Sequence, residues 1–447
     1  MANSGPMNRD RLELVDPFIA AALRAECDRQ QHSLNLIASE NIPSAAVREA
    51  LASPLLGKYA EGYPGRRFYG GCDVIDRIEQ VAIDRAKSLF SMPHANVQPH
   101  SGTNANMAVF RAILKPGDTM LGPDLAHGGH ITAGAAANYS GQMYSVVHYH
   151  VRAETELIDL DEVRRLARDY RPTAIIAGGS AFPRVIDFAA FHDIAEEVGA
   201  RLIADIAHPA GLITAGLHVS PAGLADFITT STQETLRGPA GGLVLCGSGD
   251  AAAVDRAVMP GVQSGPHMHV VAAKAVAFVE AATPQWRIYQ QRVLENARAL
   301  ATALLARGHR LVTGGTDTHL ILVDLSAYEM TGKEGQEALD SAGITVNKNP
   351  LPFDRRDHRG LLEISGIRLG TPAITSRGLG VAEMVEIADL ISRVIGSRGA
   401  PGVIASVRND VADLAARFPL GWEDFTLPCT TLAAEEALRV SSSRNVV

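Results

Sequence analysis

Between about residues 100 and 250 the chain alternates short apolar runs with segments of helical period, and nothing else in it constrains the fold so strongly. The runs are MLGP (120–123), MYSVVHYHV (143–151), TAIIAGGS (173–180), RLIADIAH (201–208), FITTST (227–232) and GGLVLC (241–246). Between them lie TNANMAVFRAILK, LDEVRRLARDY and FAAFHDIAEEVGA, the last two with apolar residues spaced i, i+3 or i+4. This pattern predicts an α/β domain with a mostly parallel sheet. Ligands of such sheets gather at the carboxyl ends of the strands, which singles out Ser180, Asp205 with His208, and the TSTQE segment ending at Glu234. The alternative reading of each is an ordinary strand-end turn or helix cap.

A long helical segment (286–308) follows the TP turn at 283–284 and leads into a second set of elements. These are LVTGG, HLILVDL, the TGKEGQEALDSAG helix, ITVNKN and GIRLGTPAIT, closed by VAEMVEIADLISRVI and ASVRNDVADLAARF. The expected division is an N-terminal arm (1–40), a large domain (41–285) and a smaller C-terminal α+β domain (286–447), with the final SSSRNVV disordered.

Composition narrows the function classes. The formal net charge is -8 and the basic residues are scattered, which argues against a nucleic-acid partner. No apolar run approaches the roughly 18 residues that span a bilayer, and MANSGPMNRDRLEL lacks the apolar core of a signal peptide. A cytoplasmic protein without membrane contact is the expectation. Cys27, Cys72, Cys246 and Cys429 lie far apart, so neither a zinc ribbon nor a disulfide framework is indicated. Only six of the 41 basic residues are lysines, so any lysine chemistry has few candidates.

Three groups of residues carry chemistry. Ser101, Gly102 and Thr103 in QPHSGTNAN stand at a helix start, either as a plain N-cap or as an anion cradle of free N–H groups and hydroxyls. Asp205 is costly as an unpaired carboxylate in an apolar strand, and a protonated pyridine nitrogen would serve as its cation. His127, His130 and His208 could bind metal, but H-x-x-H without the zincin glutamate is weak evidence; an imidazole stacked on a planar cofactor fits better.

LNLIASENIPS, KYAEGYPGRRFYGGCDVIDRIEQ, ANVQPHSGTNAN, LAHGGH, ADIAH, TVNKN and SGIRLGTPAITSRG together resemble the signatures of serine hydroxymethyltransferases, collinear over about residues 33 to 395. The resemblance implies a pyridoxal-phosphate (PLP) enzyme of fold type I, the aspartate-aminotransferase-like fold, working as a homodimer or a dimer of dimers on serine and tetrahydrofolate. It implies that Ser101, Gly102 and Thr103 hold the cofactor phosphate, that His127 stacks on the ring and that Asp205 pairs with the pyridine nitrogen. Ser180 and His208 would lie near the ring hydroxyl, Arg368 would grip the substrate carboxylate, and Asn347 would face the folate. Ser39, Tyr59, Glu61 and Tyr69 would line the substrate side, the last three from the neighbouring subunit.

The departures from the family pattern are local. Its loop TTTTHKTLxGPRGG reads TTSTQETLRGPAGG at 229–242, so Glu234 replaces the lysine that binds the cofactor, Gln233 the histidine before it and Ala240 the arginine after GP. YYGG becomes Phe68-Tyr69-Gly70-Gly71, and the neighbour-subunit phosphate loop QGGP becomes Gln263-Ser264-Gly265-Pro266. A carboxylate cannot form a Schiff base, and Lys58 and Lys348, though close in sequence to site motifs, do not carry the cofactor in the family. The leading expectation is a hydroxymethyltransferase- or aldolase-like enzyme holding PLP or pyridoxamine phosphate noncovalently, with Glu61, Tyr69, His127 and Glu234 as catalytic groups. The other expectations are a PLP-independent, folate-dependent hydroxymethyl transferase and a catalytically silent binding or regulatory homologue.

Overall fold

A computed structural model describes residues 10–354 and 363–421; Cys429 and the SSSRNVV tail lie outside the described residues. All six apolar runs form strands of a seven-stranded sheet. In chain order its strands are β1 (His94–Asn96), β2 (Thr119–Pro123), β3 (Ser145–Tyr149), β4 (Ala174–Gly178), β5 (Arg201–Asp205), β6 (Phe227–Ser231) and β7 (Gly242–Cys246). Their spatial order is β1-β7-β6-β5-β4-β2-β3, parallel throughout except that β7 runs antiparallel to both β6 and β1.

Alternate residues of each strand feed two different cores, which is why the runs are almost continuously apolar. Ile175, Ala177, Leu202, Ala204, Ile228, Leu243 and Leu245 face one core, together with helices α1 (Asp73–Phe90), α3 (Leu160–Tyr170), α4 (Phe188–Val198) and α6 (Met268–Ala281). Ala174, Ile176, Ile203, Phe227, Val244 and Cys246 face the other, covered by α2 (Gly102–Ile113), α5 (Ala251–Arg256) and the residues that follow it to Met259. The sheet is therefore buried on both sides, and polar side chains cluster where its strands end.

Helix α7 (Pro284–Ala306) carries Trp286 in the first of these cores and Leu300 and Leu304 in a further one. The latter surrounds a four-stranded antiparallel sheet of β8 (Arg310–Leu311), β9 (Leu320–Asp324), β10 (Asn347–Asn349) and β11 (Gly366–Gly370), ordered β8-β9-β11-β10. Helices α8 (Val381–Gly396) and α9 (Pro401–Ala416) pack on it, and so does Leu34–Asn35, which pairs in parallel with Ile344–Thr345. The run ITVNKN is thus split, its first two residues pairing with the 34–35 segment and its last three forming β10. Among the described residues no helix is long and apolar enough to cross a membrane.

Candidate active site

The polar residues that follow β4, β5 and β6 converge with Arg368 of β11 in one cluster. Ser101 caps α2, its Oγ accepting from Asn104 N at 3.1 Å, so the N–H groups of Gly102 and Thr103 open the helix. The strand β7 comes so close that a Cβ on Gly242 would collide with Ser101 O; only glycine fits there. Beneath this cradle the Lys274 ammonium, 1% exposed, donates to Val97 O (2.7 Å), Pro99 O (3.0 Å) and Gly242 O (2.7 Å). Burial pushes that amine down to about 7, yet three acceptors favour the charged form, which alone has three N–H groups.

Asp205, the last residue of β5, is held from two sides: Oδ2 accepts from Asn106 Nδ2 at 2.8 Å and Oδ1 from Ala207 N at 3.1 Å. Asn106 is fixed in turn by Thr229 Oγ1, which donates to its Oδ1 at 2.6 Å, and by Thr132 Oγ1, which accepts from its Nδ2 at 2.9 Å. Both Asp205 donors are neutral, so the carboxylate is oriented without a cation bonded to it. His127 follows β2, and its Nδ1 accepts from Val151 N at 3.2 Å, which places the proton of the neutral ring on Nε2. Burial and the neighbouring His150 push its pKa down. Gly128, at φ +95°, lets this loop approach Ala181 O to 2.8 Å from where a Cβ would stand.

Arg368 on β11 lies opposite Asn347 in the β10–β11 register, with Nε donating to Asn347 Oδ1 at 3.1 Å. Its Nη1 donates to Ser180 O and approaches His208 Nε2 at 3.4 Å. A guanidinium only donates, so His208 accepts at Nε2 and carries its proton on Nδ1, facing His319 Nε2 at 3.1 Å. Burial first, and then Arg368, keep both rings neutral, His208 well below its ordinary pKa and His319 at about 3.

Glu234 opens the turn after β6 in the left-handed region, φ 49°, a conformation that costs a non-glycine residue about 1 kcal/mol or more. The turn is clamped: Asn41 Nδ2 donates to Glu234 O (2.7 Å), Gln290 Nε2 to Thr235 O (2.7 Å), Thr235 Oγ1 to His208 O (2.6 Å) and Arg237 Nε to Ile42 O (2.7 Å). The Glu234 side chain is 12% exposed, with Oε2 3.9 Å from His208 Nδ1. Burial and the Asp205 carboxylate push the Glu234 carboxyl up to about 8, against the opposing pull of Ser231 and Arg368. With the imidazole neutral and the carboxyl largely protonated at pH 7, the 3.9 Å approach is not an ion pair. Glu234 Oε2 and Ser231 Oγ are both buried without a hydrogen-bond partner of normal geometry, so each retains capacity for a further hydrogen bond.

The residues expected on the substrate side fall into two groups. Asn347 and Arg368 join the cluster above, where Ser180, expected near the cofactor ring, contributes its carbonyl oxygen, and Ser39 sits in the turn with Ala38, which packs directly on Gly370 of β11. Tyr59, Glu61 and Tyr69 form a separate surface patch with Ser264 and Gly265: the Tyr59 and Tyr69 rings meet edge to face at 5.6 Å, and Ser264 Oγ donates to Glu61 Oε1. Among the described residues no hydrogen bond or ion pair joins that patch to Asp205, His208 or Glu234. Gln233 is exposed at the rim. Asn106, the last residue of QPHSGTNAN, and Thr229, the first of TTSTQETLRGPAGG, belong to the site although neither was singled out within its motif, and Thr132, Lys274 and His319 join it from outside the quoted motifs.

No lysine joins this cluster. Lys58 donates to Gly70 O at 3.0 Å, Lys333 reaches Glu337 at 3.7 Å, Lys348 and Lys115 are exposed, Lys87 lies in the last turn of α1, and Lys274 is spent on backbone carbonyls.

The doubly covered sheet, the oriented strand-end carboxylate and the helix-start cradle define the class: a PLP-dependent transferase fold of type I. A family model described as serine hydroxymethyltransferase matches residues 12–391, and the chain belongs to that family. Membership implies PLP and folate use and one-carbon transfer on an amino acid.

Proposed function

We propose that this chain is a hydroxymethyltransferase- or aldolase-like enzyme that holds PLP or pyridoxamine phosphate without a covalent bond and acts on a β-hydroxy amino acid. The observation that supports this reading is a buried, clamped Glu234 inside a cluster whose other groups suit the cofactor, in a loop whose resemblance to the family pattern assigns it the place of the cofactor-binding lysine. The residues present fit it: the α2 cradle for the phosphate, with Gln233 at the rim, Asp205 for a protonated pyridine nitrogen, and His127 for the ring face. When bound in its aldehyde form, the cofactor would supply an electron sink for the charge left at the amino-acid Cα.

The protein's own groups do the rest. Arg368, held by Ser180 O and Asn347, presents its remaining N–H groups to the substrate carboxylate. Asn347 faces the folate and Ser39 the amino acid. Glu234, with a carboxyl near 8, takes and returns a proton at operating pH. The exposed patch of Tyr59, Glu61, Tyr69, Ser264 and Gly265 serves the site of a second copy in a homodimer of two-domain, cytoplasmic subunits.

Cofactor-loaded protein is expected to release aldehyde from serine, threonine or another β-hydroxy amino acid, with or without tetrahydrofolate. Glu234→Gln should slow that release by about 100-fold or more. Silence toward every such amino acid in protein that demonstrably holds cofactor would sink the proposal.

A further inference from the structure

We infer that a pocket between α1, α6 and the start of α7 binds a phosphate monoester carried on a small apolar body, separately from the active site. The pocket has a volume of about 520 Å³, the size of a small-molecule site, and shares no residue with the cluster of Asp205, His208, Glu234 and Arg368.

The charges around it have one sign. Arg85 of α1 engages only its Nη1, which donates to Ala275 O at 2.7 Å, and Arg287 of α7 only its Nη1, which donates to Ala215 O and Gly216 O. Among the described residues neither guanidinium meets a carboxylate, and no acidic residue lines the pocket. Asp84 and Glu280, the acids next to its lining along the chain, are engaged elsewhere, accepting from Gln80 Nε2 (2.9 Å) and Ser44 Oγ (2.6 Å). To the two cations α7 adds the positive end of a 23-residue helix. No side chain caps that end and no acid stands in its first turn, because Thr283 Oγ1 donates to Glu280 O instead of accepting. A chain of net charge -8 thus keeps one pocket free of acid.

The class of ligand follows. Two guanidiniums and a helix start suit a dianion, and the fork of guanidinium donors matches phosphate oxygens. An inorganic ion alone would leave much of the volume unfilled, and Leu89, Phe278, Val279, Pro284 and Trp286 make much of the remaining lining apolar. A phosphate ester with an aryl or alkyl group uses both the charge and the apolar wall.

Trp286 reports on the pocket directly: it lines the wall, and its Nε1 is fixed on Thr214 Oγ1 at 3.0 Å and Gly211 O at 3.3 Å. The chain has two tryptophans, so Trp422→Phe leaves Trp286 as the one emitter. In the full-length Trp422→Phe protein, Trp286 fluorescence is titrated with phenyl phosphate, inorganic phosphate, benzoate and phenol. Phenyl phosphate should give a saturable change, with an affinity about tenfold or more above that of each other probe. Arg287→Gln, at an exposed position, and Ala282→Glu, which sets a carboxylate at the exposed rim, should each weaken it by about tenfold or more, with urea midpoints showing that both variants fold. A response that survives both substitutions comes from elsewhere and overturns the site, as does the absence of a saturable response to phenyl phosphate. Equal affinity for phenol overturns the role of the arginines, equal affinity for benzoate the assignment to phosphate, and equal affinity for inorganic phosphate the apolar body. None of these outcomes bears on the proposed function, which aldehyde release tests.

Discussion

Replacing Glu234 by Gln is expected to stabilise the fold at alkaline pH and to leave it unchanged in acid. The folded-state carboxyl titrates at about 8 against an ordinary value of 4.5, so between those values the native state binds a proton that the unfolded chain has lost. Stability from this group is therefore full below about pH 4.5 and is lost as pH rises through about 8. Glutamine mimics the protonated carboxyl at every pH. At pH 9 the variant should gain about 1–3 kcal/mol, allowing for the part of the side chain that meets solvent, and at pH 4 it should gain nothing. Urea midpoints measured at pH 4, 7 and 9 check this. A difference that does not change with pH would mean that Glu234 is solvated.

The second large effect is expected at Lys274. Lys274→Met keeps the apolar stem but removes a buried charge whose three N–H groups tie residues 97–99 to β7. Pro99 O retains the Gly242 N–H at 2.9 Å, whereas Val97 O and Gly242 O lose this donor in a place that water does not readily reach. The cost should be about 2–5 kcal/mol, because each of the two buried carbonyls left without this donor costs about 1–3 kcal/mol. Since the tied segment runs into Ser101, affinity for the phosphate of the cofactor should fall along with stability. Chemical denaturation and equilibrium dialysis measure the two effects; a stability loss below about 1 kcal/mol would show that the carbonyls find other donors.

The fold was legible where periodicity was strong. LDEVRRLARDY became the helix Leu160–Tyr170 end to end, and the six runs became six strands, because a sheet covered on both faces leaves an almost unbroken apolar signature. The seventh strand, His94–Asn96, escaped notice: three residues with a histidine and an asparagine carry no period, and the strand exists because β7 pairs with it. The split of ITVNKN between two partners was likewise invisible, since pairing is a tertiary choice.

The site was legible through its motifs and not beyond them. Asp205 stood out as a carboxylate in an apolar strand, but the Asn106 that aims it comes from a helix 99 residues earlier. His319 could not be linked to His208 across 111 residues by any local signal. Glu234 was conspicuous as a glutamate in a loop that resembles a cofactor-binding loop; its buried oxygen and its clamped backbone became visible only in three dimensions.

The central claim is that this pocket holds its cofactor without a covalent bond to the chain. The most direct measurement is to load the protein with PLP, reduce it with borohydride, denature it and determine its mass and the site of any adduct. The account predicts that wild-type protein gives up its cofactor and carries no stoichiometric adduct, whereas Glu234→Lys gains a single adduct at position 234. A stoichiometric adduct on any of the six native lysines of the wild-type chain would contradict it.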